Sequence, residues 1–346
     1  MLQKILLGFL LLIAGVYFYI HSGPKLPKEI DRIVDEVLSE ELPQLITGKT
    51  GYVKSDGIQI WYESQMPQSR GFQGNPKGVV LLVMGQGVSA VGGSSELYET
   101  LLKAGYQVIR TDHRGLGMSD WLPNWNKKNA YNLSDMAADN IAVLNALGVQ
   151  KTHLFGISMG GVISQTIAIN HPERVNSLIS MMSSADAYDP DLPPPPAYIT
   201  RDMIKLFIRF GLISSEENTM KLMVGICDLL KGEGDNEIDI KQISQSTLYE
   251  FRHRNGINHK ASEQHGVAVE KTGPLYHGLS TLTIPALIIH GEEDPLLDIA
   301  HAKKYAALIP GAKTLWVEGM GHEISQRYAP IWISKAIEFL DEYDQK

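Results

Sequence analysis

Ser158 lies in a Gly-x-Ser-x-Gly pattern, Gly156-Ile157-Ser158-Met159-Gly160, directly after the apolar stretch 152–155. A serine hydroxyl is a weak nucleophile at neutral pH. A sharp turn from a strand into a helix exposes it and aims the N–H groups of the helix at the reaction site. Residues two positions before and after such a serine are crowded, so glycine fits there best. The pattern predicts a nucleophilic serine, provided that a base, an acid and an oxyanion donor are present elsewhere.

A carboxylate and a histidine each follow a separate predicted strand. The apolar run 284–289 is typical of a buried parallel strand, and Asp294 lies in the loop after it. Residues 313–317 form another predicted strand, which His322 follows between glycines. His322 could take the proton of Ser158 during attack and return it to the leaving alcohol, while Asp294 orients the imidazole. We therefore predict a catalytic triad of these three residues. Three other carboxylates compete for the role of the acid: Glu292, Glu293 and Asp186.

Acyl transfer also needs two backbone N–H donors for the oxygen that becomes negative. One is expected from Met159, which follows the nucleophile, and the other from the loop after the predicted strand 79–84. That loop reads Met84-Gly85-Gln86-Gly87. By position Gln86 is the predicted second donor of the oxyanion hole, and Gly85 is the alternative.

The chain order Ser158, Asp294, His322 resembles that of the α/β-hydrolase superfamily, and the resemblance covers roughly residues 50–339. Residues 112–119 resemble the superfamily's loop after its fourth strand. The pattern His-Gly-x-x-Asp-Pro at 290–295 resembles its usual acid loop, which favours Asp294 over the other carboxylates.

Within the superfamily, the stretches 81–85, 112–114 and 156–160 are similar to the branch that contains aclacinomycin methylesterase and related carboxylesterases. The oxyanion loop departs from the pattern, since it reads Met84-Gly85-Gln86-Gly87 in place of the common His-Gly. The resemblance implies a serine hydrolase that cleaves a carboxylic ester through an acyl-enzyme intermediate.

Other functions compete with ester hydrolysis. The same fold also supports C–C bond hydrolysis, amide hydrolysis, perhydrolysis and non-catalytic binding. Residues 85–90 fit the dinucleotide-binding pattern Gly-x-Gly-x-x-Ala. A dinucleotide-binding function would leave the triad unexplained. In addition, the predicted sheet begins with a hairpin and not with the strand that precedes the glycine-rich loop. We expect neither a cofactor nor a metal, because the 11 histidines are scattered and no His-Glu-x-x-His pattern occurs.

Composition and charge narrow the choice of partners. The 346 residues are 44% hydrophobic and 20% charged, which is ordinary for a globular protein. A net charge of −8 gives no electrostatic basis for binding nucleic acid. Cys227 is the single cysteine, so an intramolecular disulfide is ruled out. The expected partner is a small-molecule ester, and the sequence leaves the oligomeric state open.

Residues 5–20 form an almost continuous apolar run, near the lower length limit for a membrane-spanning helix. The small residues that signal cleavage needs are poorly placed around it, so we predict an uncleaved membrane anchor. We expect the catalytic domain on the extracytoplasmic side. Secretion after signal cleavage and a buried N-terminal helix of the soluble fold are the alternatives.

Alternating strands and helices predict an α/β fold, with a mostly parallel sheet and helices on both faces. Apolar helical stripes over 203–210 and 220–230 interrupt this alternation and predict a helical lid after the sixth strand. Some of their side chains should face the pocket, which favours an apolar acyl or alcohol group. The predicted segments are a membrane anchor or signal segment (1–23), an amphipathic connecting helix (24–48, with its apolar stripe over 30–45), the first part of the hydrolase core (49–186), the helical lid (187–283) and the second part of the core (284–346).

Overall fold

The computed structural model describes residues 15, 19, 22–67, 74–232, 237–323 and 326–344. Its strands are β1 (Lys49–Ser55), β2 (Ile58–Gln65), β3 (Val79–Val83), β4 (Gln107–Thr111), β5 (Thr152–Ile157), β6 (Val175–Met181), β7 (Ala286–Gly291) and β8 (Lys313–Val317). They form one sheet in the order β1-β2-β4-β3-β5-β6-β7-β8. β2 runs antiparallel to β1 and β4, and the other neighbouring strands are parallel.

The α-helices of the described residues are α1 (Ile30–Ser39), α2 (Ser95–Lys103), α3 (Leu133–Ala146), α4 (Met159–Asn170), α5 (Ala197–Leu206), α6 (Glu216–Leu230), α7 (Ile240–His253), α8 (His259–Thr272), α9 (Tyr276–Ser280), α10 (Ile299–Ala306) and α11 (Ala329–Asp344). They cover both faces of the sheet, because alternate residues of β3 enter different apolar clusters. Leu81 and Val83 pack with α3 and α4, whereas Val80 and Leu82 pack with α2 and α11. The predicted α/β fold with a mostly parallel sheet is confirmed.

The carboxyl ends of the parallel strands meet at one edge of the sheet, where α/β proteins form their sites. β3 leads into residues 84–88, β5 into Ser158, β7 into the loop that holds Asp294, and β8 into the loop that holds His322. The fold thus brings loops far apart in sequence to one place.

The described residues between β6 and β7 form helices and no strand. We call residues 187–283 the insertion. After α5 the chain makes a π-helical turn, Phe207–Gly211, which widens the helix and breaks the predicted stripe over 203–210. Phe210 is buried, but Ile204 and Phe207 are exposed, so the prediction that these side chains share one apolar face was wrong.

α1 is shorter than the stripe over 30–45 predicted. It ends at Ser39, because Glu40 is extended and Pro43 disfavours a helical conformation at the residue before it. Val34 and Val37 of α1 are completely buried, in a cluster with apolar side chains of α6 and α7. The helix therefore packs on the insertion.

The predicted membrane segment, residues 5–20, lies almost entirely outside the described residues. Within the part of the chain that the structure describes, no helix combines the length and the apolarity needed to cross a membrane.

The packing of α1 on the insertion predicts a stability effect. Val34→Ala removes two methyl groups from a fully buried site and should lower the free energy of unfolding by about 1–3 kcal/mol, measured by urea denaturation. Arg32→Ala is the control, since that side chain is 64% exposed and should change stability by less than about 0.5 kcal/mol. Equal effects of the two substitutions would show that α1 is not docked as described.

Candidate active site

Ser158 occupies the turn between β5 and α4 with φ 55° and ψ −123°. Residues other than glycine rarely adopt a positive φ, because the backbone is strained there. This strain persists only where the surrounding structure holds the residue in place. The Ser158 N–H donates to the Met181 carbonyl at 2.9 Å. A Cβ on Gly156 would lie 2.2 Å from the Gly160 carbonyl oxygen, and one on Gly160 would lie 2.0 Å from that of Val83. Glycine is therefore required on both sides of the strained serine.

His322 contacts both other predicted members of the triad. Its Nε2 is 3.0 Å from Oγ of Ser158, and its Nδ1 is 2.6 Å from Oδ2 of Asp294. With the proton on Nδ1, Nε2 is free to accept the proton of the serine hydroxyl. The backbone N–H of His322 donates to the carbonyl of Leu230 at the end of α6, at 2.8 Å, so the insertion also holds this loop.

Asp294 lies in a pocket of hydrogen-bond donors. Its Oδ1 accepts from the backbone N–H groups of Leu296 and Leu297 at 2.9 and 2.8 Å. Its Oδ2 lies 3.3 Å from Nε2 of His290, in addition to the contact with His322. Burial by itself would raise the pKa of Asp294, but a charged His322 and the hydrogen bonds from both histidines outweigh burial and hold this pKa well below its usual range. The carboxylate is thus kept ionised.

The pKa of His322 is shifted in the opposite direction. Burial by itself would lower it, but the charge and the hydrogen bond of Asp294 outweigh burial, and the pKa is raised above its ordinary value of 6.5. A carboxylate held ionised beside an imidazole with a raised pKa makes the imidazole a stronger base. The pair is suited to deprotonating a hydroxyl group at neutral pH.

The competing acids are used elsewhere or lie in solvent. Oδ1 of Asp186 accepts from the backbone N–H of Tyr188 at 3.0 Å and so closes its own turn. Glu292 and Glu293 are exposed. The carboxylate that reaches Nδ1 of His322 is that of Asp294.

The two predicted oxyanion donors flank the nucleophile. Met159 is the first residue of α4, so its N–H is not needed by the hydrogen bonds of the helix. The loop after β3 passes close to Ser158, since a Cβ on Gly85 would lie 3.3 Å from the serine Cβ. Gln86 follows in this loop, and its side-chain Nε2 donates to the carbonyl of Ser262 in α8 at 2.9 Å.

Two residues of the site were missed by sequence reasoning. His290 contacts Asp294, and its place in the pattern His-Gly-x-x-Asp-Pro was an available signal. His265 lies in α8 and accepts a hydrogen bond from the N–H of Gly87 at 3.2 Å. The two residues are 178 positions apart, and no local pattern indicates that contact.

A serine on a strand–helix turn, followed along the chain by an acid and a histidine after later parallel strands, is the arrangement of an α/β hydrolase. The family model of the alpha/beta hydrolase fold matches residues 79–325. The chain belongs to the α/β-hydrolase family.

Similar proteins refine the family assignment. Rhodomycin D methylesterase DnrP of Streptomyces peucetius is 30% identical over 292 residues, which cover 80% of this chain and 92% of that protein. A 2-hydroxy-6-oxononadienedioate/2-hydroxy-6-oxononatrienedioate hydrolase of Burkholderia vietnamiensis is 24% identical over 274 residues, 75% of this chain and 86% of that protein. The solved esterase of Exiguobacterium antarcticum shares the fold with a TM-score of 0.64 at 21% identity, over 87% of this chain and all of that one. The predicted resemblance to the methylesterase branch is confirmed, and the relatives support a hydrolase.

The acid and the base predict a specific pH dependence. Because the pKa of His322 is raised above 6.5, the acid limb of kcat/KM, where the base becomes protonated, should lie above pH 6.5. Asp294→Asn removes the charge that raises this pKa, so the limb should move to lower pH. In that variant kcat should fall by roughly 10²–10⁴-fold with KM changed little, measured with a chromogenic ester. Asp186→Asn is the matched control and should have a mild effect; the reverse result would make Asp186 the acid.

Proposed function

We propose that the protein is a serine hydrolase that cleaves a carboxylic ester through an acyl-enzyme intermediate. The observation that carries the proposal is the pair of contacts made by His322, 3.0 Å to Oγ of Ser158 and 2.6 Å to Oδ2 of Asp294. A methylesterase that is 30% identical over 80% of the chain supports an ester as the substrate.

In the proposed reaction, Oγ of Ser158 attacks the ester carbonyl while Nε2 of His322 takes the hydroxyl proton. Asp294 stabilises the imidazolium that results. The carbonyl oxygen becomes an oxyanion, for which the N–H groups of Met159 and Gln86 are the donors. The imidazolium then gives its proton to the leaving alcohol as the C–O bond breaks. A water molecule deprotonated by His322 then attacks the acyl-serine. The bond between the acyl carbon and Oγ breaks, the carboxylic acid leaves, and the imidazolium returns its proton to Ser158.

The insertion favours a substrate with an apolar acyl or alcohol group. α8 lies against the loop beside Ser158, since Gln86 donates to the carbonyl of Ser262 at 2.9 Å. The insertion therefore borders the reacting groups, and apolar side chains are frequent in its helices. A pocket lined by apolar side chains binds its substrate largely through apolar contact, with a few polar groups that orient the substrate.

C–C bond hydrolysis is a second candidate, because a relative with 24% identity is named as a hydrolase of 2-hydroxy-6-oxo dienedioates. Both reactions use a triad on this fold. They differ in the bond that is cleaved, which a substrate panel distinguishes.

A panel of p-nitrophenyl esters of increasing chain length, with methyl esters beside it, tests the proposal. Wild type should hydrolyse esters, and Ser158→Ala should lower kcat by roughly 10⁴–10⁶-fold without unfolding, because the hydroxyl group serves the chemistry. A fluorophosphonate probe should label Ser158 alone. Ser134→Ala, an exposed serine of α3, is the control and should be fully active. Labelling of another serine would refute the assignment, and turnover of a 2-hydroxy-6-oxo dienoate without turnover of any ester would favour C–C hydrolysis.

We also propose that residues 5–20 anchor the protein in a membrane, with the catalytic domain on the extracytoplasmic side. The apolar run supports the anchor. Ser22, just after the run, lies 3.3 Å from Nζ of Lys205 in α5 through its hydroxyl group. Ile204, Phe207, Leu212 and Ile213, in the same part of the insertion, are large apolar side chains that are exposed. Ser22 therefore contacts α5, which is followed along the chain by exposed apolar side chains suited to a lipid interface.

The anchor predicts that the intact chain sediments with membranes and resists extraction by carbonate. A chain that lacks residues 1–23 should be soluble and should retain its ester activity, because every proposed catalytic residue lies beyond Gly85. Protease added to right-side-out cells without an outer membrane should degrade the catalytic domain. Release by carbonate would rule out the anchor, and full protection from protease would reverse the orientation.

A further inference from the structure

His265 extends from α8 of the insertion to the loop beside the nucleophile. Its side chain is completely buried. Its Nδ1 lies 3.2 Å from the N–H of Gly87, and its Nε2 lies 3.0 Å from the carbonyl oxygen of Arg114. An amide N–H can only donate and a carbonyl can only accept, so Nδ1 is the acceptor and Nε2 carries the proton.

The ring of His265 stays neutral. Burial, followed by the neighbouring ring of His113, lowers the pKa of His265 to about 3. The two rings meet edge to face, with centroids 5.7 Å apart. His265 is therefore a fixed acceptor over the whole range of pH in which His322 can act as a base.

The loop that His265 contacts is a β-turn. The N–H of Val88 donates to the carbonyl of Gly85 at 3.3 Å, and Gly87 has φ +70°, as the third position of a type II turn requires. The C=O and N–H of one trans peptide point in opposite directions. Because the carbonyl of Gly85 points into the turn, the N–H of Gln86 points away from it. This N–H is the one assigned to the oxyanion hole.

α8 holds the turn at two adjacent residues. Besides the bond from Gly87 to His265, the side chain of Gln86 donates to the carbonyl of Ser262 at 2.9 Å. A Cβ on Gly87 would lie 3.2 Å from the Cβ of Ser262, so helix and loop are closely packed. Loss of the acceptor at His265 would leave the N–H of Gly87 unpaired in a partly buried place and free the turn to change conformation.

We propose that His265 is a positioning residue of the oxyanion hole, which holds the 85–88 turn so that the N–H of Gln86 meets the negative oxygen of the transition state. The inference rests on the proposed ester hydrolysis. It gives the insertion a role in stabilising the transition state, in addition to any role in shaping the pocket.

The test compares His265→Gln with His265→Met. The two side chains have similar length, but glutamine offers a carbonyl oxygen to Gly87, whereas the sulfur of methionine is only a weak acceptor. His265→Met should lower kcat by roughly 10²–10³-fold with KM changed little, as for loss of an oxyanion donor. His265→Gln should keep most of the kcat that His265→Met loses. The inhibition constant of an aryl boronic acid, which forms a tetrahedral adduct with Ser158, should rise by the factor by which kcat/KM falls. The pH of the acid limb should be the same in all three proteins.

His153→Met is the matched control, because His153 is also completely buried but lies in β5, hydrogen-bonded to Ser177 at 2.8 Å. It should keep the kcat of wild type. The inference is overturned if kcat of His265→Met stays within about threefold of wild type, or if His153→Met loses as much kcat. A loss confined to KM, or equal kcat values for the glutamine and methionine variants, would overturn it as well.

Hydrogen exchange at the Gly87 amide separates this inference from the proposed function. Absence of ester turnover and of fluorophosphonate labelling in wild type would refute the hydrolase. Exchange would still test the contact, with protection expected in wild type and His265→Gln and loss of protection in His265→Met. Rapid exchange at Gly87 in wild type, or a His265 ring that carries its proton on Nδ1 in ¹⁵N NMR spectra, would refute the role of His265 even if a variant failed to fold.

Discussion

The left-handed backbone of Ser158 is the constraint on which the rest of the site depends. A non-glycine residue at φ 55° is strained by about 1–3 kcal/mol and keeps that conformation only if its surroundings permit no other. Two contacts hold this conformation. The N–H of Ser158 donates to the carbonyl of Met181 in β6, and Gly160 lies close to the carbonyl of Val83 at the end of β3. The central strands of the sheet thus fix the proposed nucleophile, and the other proposed catalytic groups lie on loops at the same edge.

The loops after β7 and β8 hold the proposed acid and the proposed base, and the pKa values of these two groups are shifted in opposite directions. Asp294 accepts two backbone N–H bonds and lies beside two histidines, which keeps it ionised despite its burial. His322 has this carboxylate on one ring nitrogen and the hydroxyl group of Ser158 on the other. The contact between the two groups helps to lower the pKa of Asp294 and raises that of His322, as the proposed roles require.

What could be predicted from the sequence is what depends on neighbours along the chain. The glycines around Ser158 indicate a local steric requirement. The apolar runs before Asp294 and His322 indicate buried parallel strands, whose carboxyl ends lie at one edge of the sheet. Contacts between distant segments are not indicated by any local sequence pattern. The bond from Gly87 to His265 spans 178 positions, and the packing of α1 on the insertion depends on the shape of both surfaces. Local patterns also failed where the helix changes its period, as at Phe207–Gly211.

The insertion is fixed to the core by buried charge as well as by packing. Arg254, just after α7, pairs with the fully buried Asp112 of the core and lies 4.4 Å from the ring of Trp61 in β2. Removing one partner of a buried ion pair costs roughly 3–5 kcal/mol, because the remaining buried charge is no longer compensated. The same insertion contacts the oxyanion loop through His265 and the base loop through the carbonyl of Leu230. A displacement of the whole insertion would therefore break the ion pair and disturb both catalytic loops together. The contacts that attach the insertion to the core are thus also the contacts that hold the oxyanion loop and the loop of His322.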